Sequence, residues 1–288
     1  MTRIKHYHLL GVLFYFTSCN LINPVEDIPT YIQIDSVQVV STVPQKHGSV
    51  SHKISDVWVY YDYQLLGAFE LPAKIPVLAN ERGQLQVLAG IWDNGISATR
   101  TKYPFYTVDT FTFTAQKGET IKHIPAFYYR TADTPAIAYA IENFEQGNSF
   151  QKNTGSDTSF IRTNEPSEVF EGDWSGKIAL HDTIDYIEAI TIPTYYLKPN
   201  KQAYLELNYK SDINIQVYTQ IQYQGTTYNQ EIIGLKAREN WNKTYLNLSG
   251  FASTYQNAAF KFYIKATKPS EKDSATIYID NFKIIYFN

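Results

Sequence analysis

The sequence predicts an all-β protein built from two β-sandwich domains, and three observations carry that expectation. It holds 24 tyrosines and 16 phenylalanines beside a single methionine, a composition suited to pleated, half-exposed surfaces. From Tyr31 onward apolar and polar residues alternate with period two, and turn residues separate the runs. No convincing amphipathic helix interrupts them. The prolines at 72, 76 and 104 fall between runs, as expected of a residue that cannot donate to a sheet ladder.

In the first domain, residues 31–130, the predicted strands are Ile32–Val40, Val57–Tyr63, Leu65–Glu70, Gln84–Ala89, Phe105–Thr114 and Ile121–Tyr129. The second and third form a hairpin turning near Asp62-Tyr63-Gln64, without the Asn-Gly pair of the tightest turns. Trp92 to Ser97, with Asn94-Gly95, reads as a long loop and the contact surface of this domain. Thr131-Ala132-Asp133-Thr134-Pro135 is small, polar and closed by proline, which places a linker at 131–135.

In the second domain, residues 136–288, nine strands are expected: Ala136–Phe144, Lys177–Leu180, Ile187–Ile192, Ala203–Tyr209, Ile213–Tyr223, Tyr228–Leu235, Trp241–Leu248, Phe260–Lys265 and Thr276–Phe287. Gly147 to Ser159 is a mobile loop by composition. In the last strand Ile277 and Ile279 share one face, while Phe282, Ile284 and Tyr286 stand one step out of phase. A bulge at Asp280-Asn281 reconciles them.

The N-terminus defines where the chain sits. Arg3 and Lys5 precede the apolar run Leu9–Phe16, the layout of a secretory signal peptide and too short to span a bilayer. Phe16-Thr17-Ser18-Cys19 resembles the lipobox of bacterial lipoproteins, with Phe16 where that family usually has leucine. The resemblance implies removal of residues 1–18, lipidation of Cys19, a tether over 19–30 and anchoring in the outer membrane. Asp35-Ser36-Val37, Asp182-Thr183-Ile184 and Asp273-Ser274-Ala275 resemble the O-glycosylation triplet of Bacteroidota. Surface export in that phylum follows an acidic cluster directly after the cysteine. Here Asn20-Leu21-Ile22-Asn23-Pro24 intervenes before Glu26-Asp27, so periplasmic and cell-surface orientations both stay open.

Two further resemblances concern the folded body. Trp58-Val59-Tyr60-Tyr61-Asp62, Leu66-Gly67 and Ile75-Pro76-Val77-Leu78 resemble a small Ig-like or PEGA-type envelope β-domain. Ile141 to Gly147, Trp174 to Leu180 and Ile277 to Phe282 resemble jelly-roll carbohydrate-binding modules and galactose-binding-like domains, which implies a jelly roll for the second domain. In that family a structural calcium is held at the positions of Glu145 and Asp280, with carbonyl oxygen from the Ser175-Gly176-Lys177 turn. The same residues also read as a loop cap and a bulge marker.

Aromatic platforms for sugar are sought at Trp174, Tyr195, Tyr196, Tyr223 and Tyr228, with Trp241 assigned to the core by the alternation after it. Catalytic patterns are not found. Lipidation of Cys19, the only cysteine, removes thiol chemistry. His47 and His52 lack helical ligand spacing and read as solvated. His181-Asp182 are neighbours expected to point to opposite faces. Glu171-Gly172-Asp173 begins a glucanase-like carboxylate pattern, but Gly176 ends it. A formal charge of −3 with scattered lysines makes nucleic acid an unsuitable partner. The expectation is a non-catalytic lipoprotein that binds protein partners in an outer-membrane assembly. The alternative is a glycan-binding lipoprotein that uses the jelly roll as its binding module.

Overall fold

The computed structural model describes residues 26–131 and 137–288. Cys19, the signal segment and linker residues 132–135 lie outside the described residues. Among those described there are 21 strands and two short helices, and no helix is long and apolar enough to cross a membrane.

The first unit contains β1 (Thr30–Ile34), β2 (Gln38–Val40), α1 (Pro44–His47), β3 (Asp56–Tyr61), β4 (Gln64–Glu70) and β5 (Ala73–Val77). It continues through β6 (Arg82–Trp92), β7 (Arg100–Lys102), β8 (Asp109–Thr114), β9 (Thr120–Lys122) and β10 (Ala126–Tyr128). Strands β4-β3-β6-β7, with β8 also on β6, form one layer; β5-β1-β9 and β10-β2 form the other. The expected strand Ile32–Val40 is broken after Ile34, and Ile121–Tyr129 is broken around Pro125. The two breaks sit side by side because β1 runs parallel to β9, and β2 to β10. Pro125 has no N–H for a ladder, yet its carbonyl accepts the Gln38 N–H at 3.0 Å. The β3–β4 hairpin turns tightly without Asn-Gly, since Asp62 and Tyr63 both adopt positive φ, 44° and 66°.

The second unit contains β11 (Ile137–Glu142), β12 (Phe150–Lys152), β13 (Ile161–Thr163), β14 (Ser175–His181), β15 (Tyr186–Thr191) and β16 (Ala203–Ser211). After it come β17 (Ile215–Tyr223), β18 (Thr226–Leu235), β19 (Arg238–Asn247), α2 (Ser249–Thr254), β20 (Ala259–Thr267) and β21 (Ser274–Phe287). A six-stranded sheet runs β13-β14-β21-β16-β19 with β11 also on β21; a five-stranded sheet runs β12-β15-β20-β17-β18. Between them lies an apolar core that includes Leu205, Leu207, Val217, Ile264, Ile277 and Ile284. The stretch Gly147–Ser159, expected to be a loop, supplies β12. Phe150 anchors it, packing its ring 5.1 Å from that of Phe282.

The expected bulge is present in β21. Three steps along β21, from Lys283 to Asp280, face two along β16, from Glu206 to Asn208, and Asn281 takes φ 48°. Ile277, Ile279, Phe282 and Ile284 thereby all reach the core.

The six-stranded sheet is buried on both faces. Along β16, Leu205, Leu207 and Tyr209 enter the second unit's core, while Tyr204 joins the core of the first. Tyr103, Phe105, Tyr106 and Tyr129 of the first unit pack there with Tyr245 and Ile285. The predicted strand Phe105–Thr114 starts late: β8 begins only at Asp109, and the rings of Tyr103, Phe105 and Tyr106 plug this junction instead.

In the middle of the junction lies the fully buried Glu206. Its carboxylate accepts the Tyr103 hydroxyl at 2.5 Å and that of Tyr129 at 2.8 Å. It is paired with Lys243 at 2.7 Å and Lys283 at 3.6 Å. Lys283 Nζ donates in turn to the Tyr129 oxygen at 2.9 Å and to the Ser49 carbonyl at 3.3 Å. Burial opposes ionisation of Glu206, but Lys243 and Lys283 outweigh it and bring its pKa down to about 2. Burial lowers Lys283 to about 8 against the pull of Glu206.

Glu206→Gln should destabilise the chain by about 3–5 kcal/mol, because it strands two buried ammonium groups. Since the folded pKa lies below the ordinary carboxylate value of about 4.3, this contribution is in place above that pH and is lost as pH falls towards 2. Urea unfolding of both proteins between pH 3 and 7 checks this; the gap between them should shrink on the acid side.

Candidate functional site

With the first unit packed on the six-stranded sheet, the outward face of the five-stranded sheet keeps Tyr186, Glu188, Gln216, Tyr218 and Lys265 half-exposed, with Tyr263 and Ile190 buried among them. The alternation Ile215-Gln216-Val217-Tyr218-Thr219-Gln220-Ile221 sends Val217 and Ile221 inward and turns Gln216, Tyr218 and Gln220 outward. Register then aligns a row across all five strands: Gln151, Ile190, Tyr263, Tyr218 and Glu231. Beside it run Glu188, Lys265 and Gln216.

The rings of Tyr218 and Tyr263 stack with centroids 5.1 Å apart and planes 18° apart. Lys265 Nζ stands 5.5 Å from the Tyr186 ring and 5.7 Å from the Tyr218 ring. Glu231 accepts the Tyr218 hydroxyl at 3.1 Å and the Gln216 amide at 3.3 Å. Glu188 accepts the Tyr186 hydroxyl and, at 2.9 Å, the Asn153 amide, with Lys265 Nζ at 3.5 Å. Burial, then Glu188, raises the Tyr186 phenol, and burial, then Glu231, raises that of Tyr218, so both remain protonated donors. The face thus presents aromatic surface ringed by amides, carboxylates and an ammonium, a set able to exchange its internal hydrogen bonds for those of a polyhydroxylated ligand.

The aromatic residues singled out from sequence lie elsewhere. Trp174 packs partly on the core, and the Arg162 guanidinium covers its ring at 4.1 Å. Tyr195 also packs on the core, 5.7 Å from Phe262, and burial, with Glu142 adding, pushes its pKa up to about 12. Tyr196 is 62 % exposed. Tyr223 and Tyr228 are brought together by Tyr255, at 5.6 and 5.4 Å, on the inward side of the β17–β18 hairpin. Trp241, assigned to the core, instead stands outside it, against Phe170 at 5.3 Å and beneath Lys210 at 5.5 Å. The signal that finds Tyr186, Tyr218 and Tyr263 is the polar phase of each strand's alternation, where an aromatic residue sits among glutamines, glutamates and lysines.

The histidines also depart from expectation. His47 is fully buried, with the Tyr139 and Tyr129 rings at 5.1 and 5.5 Å, because the single turn of α1 folds its side chain under the unit. Burial, then Lys283 and Lys46, lowers its pKa. His181 Nδ1 does meet Asp182 Oδ2, at 3.2 Å, since Asp182 leaves the strand with φ 45° and loses the alternation that separates strand neighbours. Both are well exposed. A partly buried contact of this type joins His123 Nε2 to Asp109 Oδ2 at 2.6 Å, with the Phe111 ring stacked on the imidazole.

Glu145 and Asp280 reach the same turn. Glu145 Oε1 accepts the Asp173 and Trp174 N–H groups at 2.9 and 3.0 Å. Asp280 accepts the Ser175 hydroxyl at 2.7 Å and the Asn281 N–H at 2.6 Å. The donor set does not fit calcium, which takes six to eight oxygens. These carboxylate oxygens are already engaged by protein donors, and among the described residues no three His, Cys, Asp or Glu side chains gather to hold a metal. Glu145 here holds the turn, and Asp280 holds the bulge.

No protein-family model and no curated protein matches the chain. Among solved structures, a family 29 carbohydrate-binding module is similar at 9 % identity and a TM-score of 0.31, covering 52 % of this chain and 88 % of that one. The xylan-binding CBM22-2 domain of Paenibacillus barcinonensis Xyn10C is similar at 11 % identity and a TM-score of 0.37, covering 50 % and 97 %. A carbohydrate-binding module of the β-sandwich superfamily reaches 16 % identity and a TM-score of 0.36 over 79 % and 83 %. At such scores none of these likenesses defines a family or a ligand for this chain.

Asp280 supplies a pH test. Burial outweighs its hydrogen bonds and raises its pKa to about 7, above the ordinary 3.8. Its contribution is therefore complete below the ordinary value and is lost as pH rises through 7. Denaturant midpoints should fall for the wild-type chain between pH 4.5 and 8, and Asp280→Asn should flatten that slope.

Proposed function

We propose that this protein is a non-catalytic, lipid-anchored glycan-binding protein that holds its ligand on the outward face of the five-stranded sheet. The observation that carries the reading is the half-exposed Tyr218 ring, backed by the buried Tyr263 ring stacked on it and bordered by Glu188, Lys265, Gln216 and Glu231. Apolar ring surface suits the C–H faces of a sugar, and neighbouring amides and carboxylates suit its hydroxyl groups. The face is shallow and spans five strands, which favours a chain of sugars over an enclosed small molecule. Lipidation at Cys19 would keep this face near the outer membrane, in an orientation that protease treatment of intact cells distinguishes.

A glycan array followed by affinity electrophoresis tests the reading with the full chain. A polysaccharide that retards the protein should lose about tenfold in affinity on Tyr218→Ala, about 1.4 kcal/mol, with a smaller loss on Lys265→Ala. Failure to bind any polysaccharide, or retardation unchanged by both substitutions, sinks the proposal.

A second reading, docking to a protein of an outer-membrane assembly, is favoured by β18. This ten-residue strand ends the five-stranded sheet, and among the described residues only β17 pairs with it. Its free edge suits the addition of a partner strand. Crosslinking in mildly solubilised membranes separates the readings: an adduct mapping to Thr226–Leu235 supports docking, and recovery of the protein alone counts against it.

A further inference from the structure

A cavity of about 190 Å³ opens in the seam between the two units, where residues ahead of β3 and the loop after β6 meet the end of β18 and the strand β19. Its wall carries Lys53, Lys236, Arg238 and Lys243, and no aspartate or glutamate. The charges are poorly matched. Lys243 faces Glu206, but that carboxylate is shared with Lys283, so two ammonium groups divide one negative charge. Lys53 Nζ donates to the neutral Asn242 Oδ1 at 2.5 Å and sits 5.1 Å from the Trp92 ring; neither partner is an anion. Burial, with Arg238 adding, lowers the Lys53 pKa, as expected of an ammonium group without a carboxylate.

Two buried polar atoms of the wall also lack a partner. Thr244 is only 3 % exposed, yet its Oγ1 has no hydrogen bond, and the indole Nε1 of Trp92 is likewise unpaired. Such atoms are uncommon in folded proteins and point to something that completes them. Uncompensated cations in a concave wall concentrate anions, and a guanidinium matches the geometry of an oxyanion. The volume is below the roughly 300 Å³ at which pockets enclose drug-sized molecules, so the guest is about one ring in size or smaller.

We propose that this seam cavity binds a small oxyanion-bearing ligand, a carboxylate or sulfate on a ring-sized unit or the free inorganic anion. Arg238 and Lys53 take its charge, and Trp92 Nε1 and Thr244 Oγ1 complete their hydrogen bonds on it. Because Lys53 and Trp92 belong to the first unit and Arg238 and Thr244 to the second, the ligand bridges the seam. The site is separate from the tyrosine-bearing face and does not depend on it.

Calorimetry and thermal unfolding of the full chain with glucuronate, inorganic sulfate and inorganic phosphate test this, against glucose and against sodium chloride at equal ionic strength. At least one oxyanion should bind saturably and raise the Tm, while glucose and chloride do neither. Arg238→Gln, at an exposed position, and Lys53→Gln should each weaken binding at least tenfold, and Tyr218→Ala should leave it unchanged. Glucuronate binding without sulfate or phosphate assigns the site to an acidic sugar; binding of all three assigns it to the anion alone. The absence of saturable binding, equal binding of glucose, or affinity retained in both Arg238→Gln and Lys53→Gln overturns the proposal.

Discussion

A carboxylate that is fully withdrawn from water must be surrounded by donors, and Glu206 draws its donors from both halves of the chain. Lys243 and Lys283 come from strands on either side of β16, and Tyr103 and Tyr129 arrive from the first unit. Neither unit alone satisfies the group. Pulled apart, each would expose a phenol or an ammonium group whose partner stays behind in an apolar sheet. Their mutual fit is thus a matter of polar complementarity as well as of contact area.

The rest of the architecture follows from that junction. A sheet covered on both faces needs residues that suit two environments in alternation, and β16 provides Leu205 and Leu207 for one side and Tyr204, Glu206 and Asn208 for the other. The bulge in β21 serves the same end. It keeps Phe282 and Ile284 in the core while Lys283 and Ile285 turn towards the first unit. The five-stranded sheet has no such cover, so apart from Ile190 the residues of its outward rows are tyrosines, glutamines and paired charges. The seam encloses polar walls that do not fully match, and the cationic cavity forms there.

Much of the β architecture was legible in local pattern. Alternation placed most strands, and the phase slip between Ile279 and Phe282 located the bulge before any partner strand was known. The misses have specific causes. Pro125 and the Asp35-Ser36 pair split strands that hydrophobicity alone joined, and Phe105 and Tyr106 look like the start of a strand because aromatics that plug a junction follow the same spacing. β12 was hidden in a segment of loop composition because one residue, Phe150, ties it to the core. Candidate sugar-platform aromatics are sought in turns and at strand ends, whereas the rings that gather on the five-stranded sheet lie in its strands, and their proximity depends on the pairing of β15, β20 and β17.

By itself the sequence determined the all-β class, the polar or apolar phase of individual strands and the position of the β21 bulge. These are properties of neighbours along a chain, governed by a side-chain period of two and by the backbone demands of proline and turn residues. Only the tertiary structure decided that Glu206, Lys243 and Lys283 share one buried site, that Trp241 stands outside the core and that Lys53, Trp92 and Arg238 meet around one cavity. Each of those depends on strand order and on the face that one unit turns to the other, which residues up to 234 positions apart set jointly through packing, with no trace in local pattern.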